Sequence, residues 1–134
     1  MSHEEQLNNR ILVVEDEAHI QRLLRIILEK HGYHVESAET GEEAVAVLQT
    51  GPRPNLILLD IMMPGMDGIE VLEKIREMKP LREVDVVMLT SMSQQDMVIK
   101  GARLGVKDFI AKPFQPKEFI RRISPILPAP TSPT

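Results

Sequence analysis

The sequence predicts an α/β fold, an open doubly wound parallel sheet of five strands flanked by five helices, and three observations carry the prediction. Short apolar runs alternate with amphipathic stretches along nearly the whole chain, as in a parallel sheet covered on both faces. Helix caps, glycine stops and Pro-Gly turns punctuate the junctions between them. The length of 134 residues fits one such core and is too short for two.

Ile11-Leu12-Val13-Val14 reads as the first buried strand, ending in acid. Ile20, Leu23, Leu24, Ile27 and Leu28 then recur at helical spacing, with Gly32 as the stop. Tyr33 to Ala38 is the second strand, and Thr40 with Glu43 three residues on makes a capping box for a helix to about Gln49. The loop Gly51-Pro52-Arg53-Pro54 leads to the most apolar strand, Asn55 to Asp60. After the turn Met62-Met63-Pro64-Gly65-Met66, Asp67 caps a helix running to about Met78. Val84 to Leu89 is the fourth strand. Ser93 caps a fourth helix reaching Leu104, with Gly105 beyond its end. Gly101 inside it costs about 1 kcal/mol relative to Ala and marks it as the softest helix. Asp108 to Ala111 is the fifth strand, and Pro116 opens a last helix that Pro125 ends near Ser124. The expected organisation is an extension over 1–9, one domain over 10–124 and a Pro-rich tail over 125–134.

Composition removes several functions. With no cysteine there is no disulfide framework, thiolate cage or cysteine nucleophile, and a reducing, cytoplasmic setting is the expectation. No apolar run is long enough to span a bilayer, so no membrane partner is expected. A net charge of -4 and 3% aromatics argue against direct nucleic-acid binding by phosphate attraction or base stacking. His3, His19, His31 and His34 form no metal set, because Gly32 breaks the helix between the closest pair. Asp85 has no assignable role.

In a doubly wound sheet, right-handed crossovers bring the carboxyl ends of the strands to one edge, where ligands gather. There strand one ends in Glu15-Asp16-Glu17, strand three in Asp60, strand four in Thr90-Ser91, and strand five runs into Lys112-Pro113. Each has a plain local explanation as a cap, a turn former or a solvated charge. Together they are more informative. Three carboxylates crowded at one edge repel one another unless a cation joins them, and oxygen ligands without His or Cys suit Mg²⁺. A lysine and a hydroxyl beside them complete a phosphate site, and the implied chemistry is phosphoryl transfer.

These residues resemble the receiver domain of two-component response regulators, CheY-like and flavodoxin-like in fold. The resemblance covers residues 10 to 124 and rests on ILVVEDE at 11–17, LILLDIMMPGMDG at 56–68, VVMLTS at 86–91 and DFIAKPF at 108–114. It implies the strand order 2-1-3-4-5 and a phosphorylation-dependent signalling switch rather than a turnover enzyme. Asp60 is implied as the phosphoacceptor for a histidine kinase or phosphotransfer protein. Glu15, Asp16 and Asp60 are implied as Mg²⁺ ligands with the Met62 backbone carbonyl, Mn²⁺ being a substitute. Lys112 is implied to neutralise phosphoryl oxygens, Thr90 to swing onto them, and Phe109 to report the change by its rotamer. A cis Lys112-Pro113 bond also follows from the resemblance. The signal is expected to leave through the fourth helix, fifth strand and fifth helix, toward an output partner the sequence does not name. A phosphorylation-dependent homodimer through that face is compatible with the resemblance.

Two departures matter. Phe109 stands where many relatives have Tyr, so the switch must rest on ring burial without a hydroxyl. Met62 and Met92 are apolar where a polar side chain could orient a hydrolytic water, which predicts slow loss of the phosphoryl group. The alternative reading is a receiver-fold scaffold that is never phosphorylated. An aspartate-nucleophile phosphatase would need a second Asp where Met62 stands, and a flavodoxin would need a hydroxyl-rich phosphate loop and stacking aromatics; neither is present.

Overall fold

Leu56, Ile57, Leu58 and Leu59 are all fully buried, which a strand permits only when both faces of its sheet are covered. That strand is central. The computed structural model describes residues 9–91 and 95–127. The Ser93 cap, Met92 and His3 lie outside the described residues. Strands β1 (Arg10–Val14), β2 (His34–Ala38), β3 (Leu56–Asp60), β4 (Asp85–Thr90) and β5 (Asp108–Ala111) form one parallel sheet in the order β2-β1-β3-β4-β5. The helices are α1 (Ala18–Lys30), α2 (Gly41–Thr50), α3 (Gly68–Glu77), α4 (Gln95–Arg103) and α5 (Pro116–Ile123).

Period-two alternation along the strands divides the core into two layers. Ile11, Val13, Leu58 and Val87 pack with Leu24, Ile27 and Leu28 of α1 and with Phe119 and Ile123 of α5. Leu12, Val14, Ile57, Leu59, Val86 and Met88 pack on the other side with Ala44 and Leu48 of α2 and Ile69, Leu72 and Ile75 of α3; Met97 and Val98 of α4 join them. Helices α1 and α5 therefore cover one face and α2, α3 and α4 the other.

Element boundaries agree with the sequence reading to within one or two residues, and the departures have local causes. Leu23, expected in the apolar stripe of α1, is 38% exposed and lies at its margin, and Ile26 is 58% exposed. Thr40 Oγ1 accepts from Glu43 N–H as expected, but the Glu43 carboxylate accepts from Glu39 N–H at 2.7 Å, one residue earlier than a reciprocal box requires. Asp67 and Glu70 form the full box at the start of α3. A short 3₁₀ turn at Lys79–Leu81, built on Pro80, was not foreseen. Core packing runs past Pro125, with Leu127 buried.

Three arginines bind the layers through backbone carbonyls. Arg25 of α1 donates to Val35 O at 3.1 Å and to Ser37 Oγ at 2.9 Å on β2. Arg122 of α5 holds Asp108 through both carboxylate oxygens, at 2.9 and 2.6 Å, and reaches Phe109 O at 3.3 Å on β5. Arg76 of α3 donates to Leu104 O, Arg82 O, Val84 O and Gly105 O, fastening the C-terminal end of α4 to the start of β4.

Candidate functional site

The five strands run parallel, so their C-terminal residues share one edge, and the candidate side chains arrive there by register alone. Glu15 is the first residue past β1; its N–H donates to Ala38 O at 3.0 Å and its side chain is fully buried. Asp60 closes β3 and Thr90 closes β4, both buried. Lys112 follows β5, its N–H donating to Thr90 O at 2.8 Å, and the Lys112-Pro113 bond is cis. Lys112 Nζ reaches across the edge to Glu15 Oε1 at 3.1 Å, Asp60 Oδ2 at 3.3 Å and Glu17 Oε1 at 3.5 Å. One ammonium thus has three carboxylate partners for its three protons.

Carboxylate oxygens of Glu15, Asp16 and Asp60 lie within 4.8 Å of one another, Asp16 being the exposed member. This donor set suits a divalent cation with a preference for oxygen. Without one, burial and then the charge of Asp60 push the Glu15 carboxyl up to about 7. Burial also raises Asp60 above the usual carboxylate range, while Lys112 acts to lower it. Burial works against the Lys112 ammonium, yet Asp60 and Glu15 together hold its proton above the usual lysine range. The cluster is therefore short of positive charge, and a cation would relieve it.

Backbone constraints shape the rest. Met62 N–H lies 3.4 Å from Asp60 Oδ1, placing the Met62 main chain beside the carboxylate, while its side chain is exposed. Gly68 N–H donates to Ile61 O at 2.7 Å, and a β-carbon there would stand 2.4 Å from Asp60 O and 2.8 Å from Ile61 Cα, so only glycine fits. Thr90 Oγ1 donates to Ser91 O at 2.7 Å. The Phe109 ring is half-buried against α4, where a β-carbon on Gly101 would lie 3.1 Å from Phe109 Cζ and 3.2 Å from Met88 Sδ. Gly101 thus has a packing reason that helix propensity does not reveal.

Glu15, Asp16, Asp60, Lys112 and the Met62 backbone are brought together; Thr90 lies at the same edge and Phe109 one strand further out. The sequence reading assigned no role to Glu17, although it stands in the acidic run, nor to Gly68, although it follows the cap. It also passed over Gln21, whose Nε2 donates to Glu15 O at 2.7 Å and to Ala38 O at 3.2 Å.

Comparison with known proteins agrees with this fold. The sequence profile described as response regulator receiver domain matches residues 11–124. The transcriptional regulatory protein ResD of Bacillus subtilis is 46% identical over 120 residues, covering 88% of this chain and 48% of that protein. The phosphate regulon transcriptional regulatory protein PhoB of Escherichia coli is 41% identical over 118 residues, covering 88% and 51% respectively. The chain spans about half the length of these curated relatives. Among solved structures, chemotaxis protein CheY4 of Vibrio cholerae superposes with a TM-score of 0.82 at 28% identity, covering 89% of this chain and 98% of that one. A CheY-like receiver domain protein of Methanospirillum hungatei gives 0.80 at 32% identity, covering 87% and 91%. The chain belongs to the response regulator receiver domain family, the phosphorylation-based signalling module of two-component regulators.

Proposed function

We propose that the chain is a phosphoacceptor switch in which Asp60 takes a phosphoryl group from a phosphohistidine on a sensor kinase or phosphotransfer protein. The observation that carries this reading is the buried Asp60 carboxylate held 3.3 Å from Lys112 Nζ inside an acidic cluster. An Asp60 carboxylate oxygen attacks phosphorus, the O–P bond forms, the N–P bond breaks, and its electron pair returns to the imidazole nitrogen. Lys112 holds Asp60 ionised for attack and then donates to the phosphoryl oxygens. Glu15, Asp16 and Asp60, with the Met62 carbonyl, would hold Mg²⁺ or Mn²⁺, which when bound neutralises charge on the transferring group.

The product carries nearly two negative charges and three acceptor oxygens. Thr90 hydroxyl is the nearby donor at the end of β4, and its movement onto the phosphoryl group vacates space toward the Phe109 ring. The ring sits on α4 at Gly101, which routes the change to the face formed by α4, β5 and α5. That face meets the output partner or a second copy of the chain. Exposed Met62 offers no group to orient a hydrolytic water, which supports a long-lived phosphoryl state.

Intact mass after incubation with acetyl phosphate and Mg²⁺ tests the reading. A phosphoryl-sized gain is expected for the native chain and is lost with Asp60→Asn or with chelator. No gain in the native chain would favour the unphosphorylated scaffold instead. A measured phosphoryl lifetime of seconds at neutral pH would overturn the slow-loss expectation alone.

A further inference from the structure

We propose that Gln21 is a positioning residue for the cation-binding carboxylates, acting through the backbone of Glu15. The inference rests on the reading of Glu15, Asp16 and Asp60 as a divalent-cation site and adds the group that sets the loop carrying two of them.

Gln21 lies in the first part of α1, and its own N–H donates to Glu17 O at 3.0 Å as the helix begins. Its side chain turns back to the sheet. Both partners of the carboxamide nitrogen are carbonyl oxygens, Glu15 O at 2.7 Å and Ala38 O at 3.2 Å, so its two protons are both used. These oxygens stand where β1 and β2 end and the strands diverge, and among the described residues no ladder bond beyond that of Glu15 N–H holds the loop there. Glu15 is therefore fixed on both sides of its main chain: its N–H on Ala38 O, its C=O by Gln21.

The consequence falls on the side chains. One Glu15 oxygen accepts from Glu17 N–H at 3.1 Å and the other from Lys112, so Glu15 depends on its own loop being closed. Asp16 is exposed, and among the described residues no hydrogen bond holds its side chain. Its place relative to Asp60 follows from the backbone alone. Mg²⁺ demands near-octahedral oxygen geometry, so a loop free to rotate about Glu15 weakens binding without removing any ligand.

Binding of Mn²⁺ as a probe, followed by water-proton relaxation and repeated with Mg²⁺ in competition, tests this. Gln21→Leu, which keeps bulk and loses both donors, is expected to weaken Mn²⁺ about tenfold, the ordinary scale for groups that orient metal ligands. Gln21→Met, uncharged and of similar length without donors, should do the same if the Leu variant folds poorly. Asn55→Ala removes a bond of similar kind, Arg10 N–H to Asn55 Oδ1 at 2.8 Å, at the opposite end of β1, and should lower stability while leaving Mn²⁺ affinity unchanged. Native affinity in the Leu and Met variants, or an equal loss in Asn55→Ala, overturns the positioning role while the cation site stands. Absence of Mn²⁺ and Mg²⁺ binding by the native chain overturns the cation site itself, and the positioning role with it.

Discussion

Stripped of divalent cations, the protein should lose stability as pH rises from 5 to 7, the reverse of what carboxylates in ordinary salt bridges produce. The cause is Glu15, whose folded carboxyl is raised from 4.5 to about 7 by burial and by the neighbouring charge of Asp60. Between those values the folded state keeps a proton that the unfolded chain has released, so the folded state is favoured at the lower pH. At about 1.4 kcal/mol for each pH unit between 4.5 and about 7, the ceiling is roughly 3 kcal/mol, most of it lost by pH 7 and the rest just above it, with the same sign from the raised Asp60. With an unfolding entropy of about 2.1 cal/mol/K per residue, 134 residues convert that ceiling into a fall of roughly 10 °C in Tm. Calorimetric melts in chelator from pH 5 to 8, for the native chain and Glu15→Gln, measure it directly. Glu15→Gln should flatten the profile and exceed the native chain above pH 7. Added Mg²⁺ should restore more stability at pH 7.5 than at pH 5, because protons compete for the same oxygens. A flat or rising native profile in chelator, or a Glu15→Gln variant that keeps the slope, would refute the assignment of strain to this buried carboxyl.

Other substitutions separate competing effects. Gly101→Ala should gain about 1 kcal/mol from helix propensity, but its β-carbon meets Phe109 and Met88 at 3.1 and 3.2 Å, and overpacking of this kind costs roughly 1–3 kcal/mol. A net loss with displaced Phe109 ring resonances is expected; a full gain of 1 kcal/mol would mean that the ring yields freely. Gly68→Ala places a methyl 2.4 Å from the Asp60 carbonyl, where only backbone can move, and should cost more than about 2 kcal/mol together with acetyl phosphate labelling. Arg76→Ala removes a cation bonded to four carbonyls and should cost about 2 kcal/mol. Hydrogen exchange at residues 104–106 should then quicken while the α1 amides stay protected, and uniform exchange would argue that α4 is not held at that end.

The sequence made the sheet, the helix order and the strand-end residues legible because each depends on local periodicity and on one topological rule. Asp60 and Lys112 meet as soon as five parallel strands share an edge, whatever the details of packing. What stayed hidden depends on contacts between segments far apart in the chain. Gln21 looks like any polar residue on an amphipathic helix until Ala38 is beside it, and Arg76 like a solvated arginine until Leu104 and Gly105 arrive. Gly101 read as a weakness of α4 because propensity counts backbone entropy alone; its purpose is visible only with the Phe109 ring against it. Asp85, given no role, lies 3.9 Å from Lys107 and near Arg76, a surface charge balance that no spacing rule announces.

The arginines of the outer helices also govern how the molecule behaves beside copies of itself. An open sheet ends in two strands whose outward amide and carbonyl groups can template a neighbour's strand. On β5 the Phe109 N–H is taken by Asp108 Oδ1 at 2.8 Å and its carbonyl by Arg122, and Asp108 and Arg122 also hold one another. On β2 Arg25 occupies the Val35 carbonyl. Each margin thus has outward groups already occupied by the chain's own side chains, and a foreign strand pairing along β5 would have to break a bidentate ion pair first. The obstacle to edge-to-edge growth is therefore greater along β5, where both outward groups of Phe109 are taken, than along β2, where Arg25 takes one carbonyl.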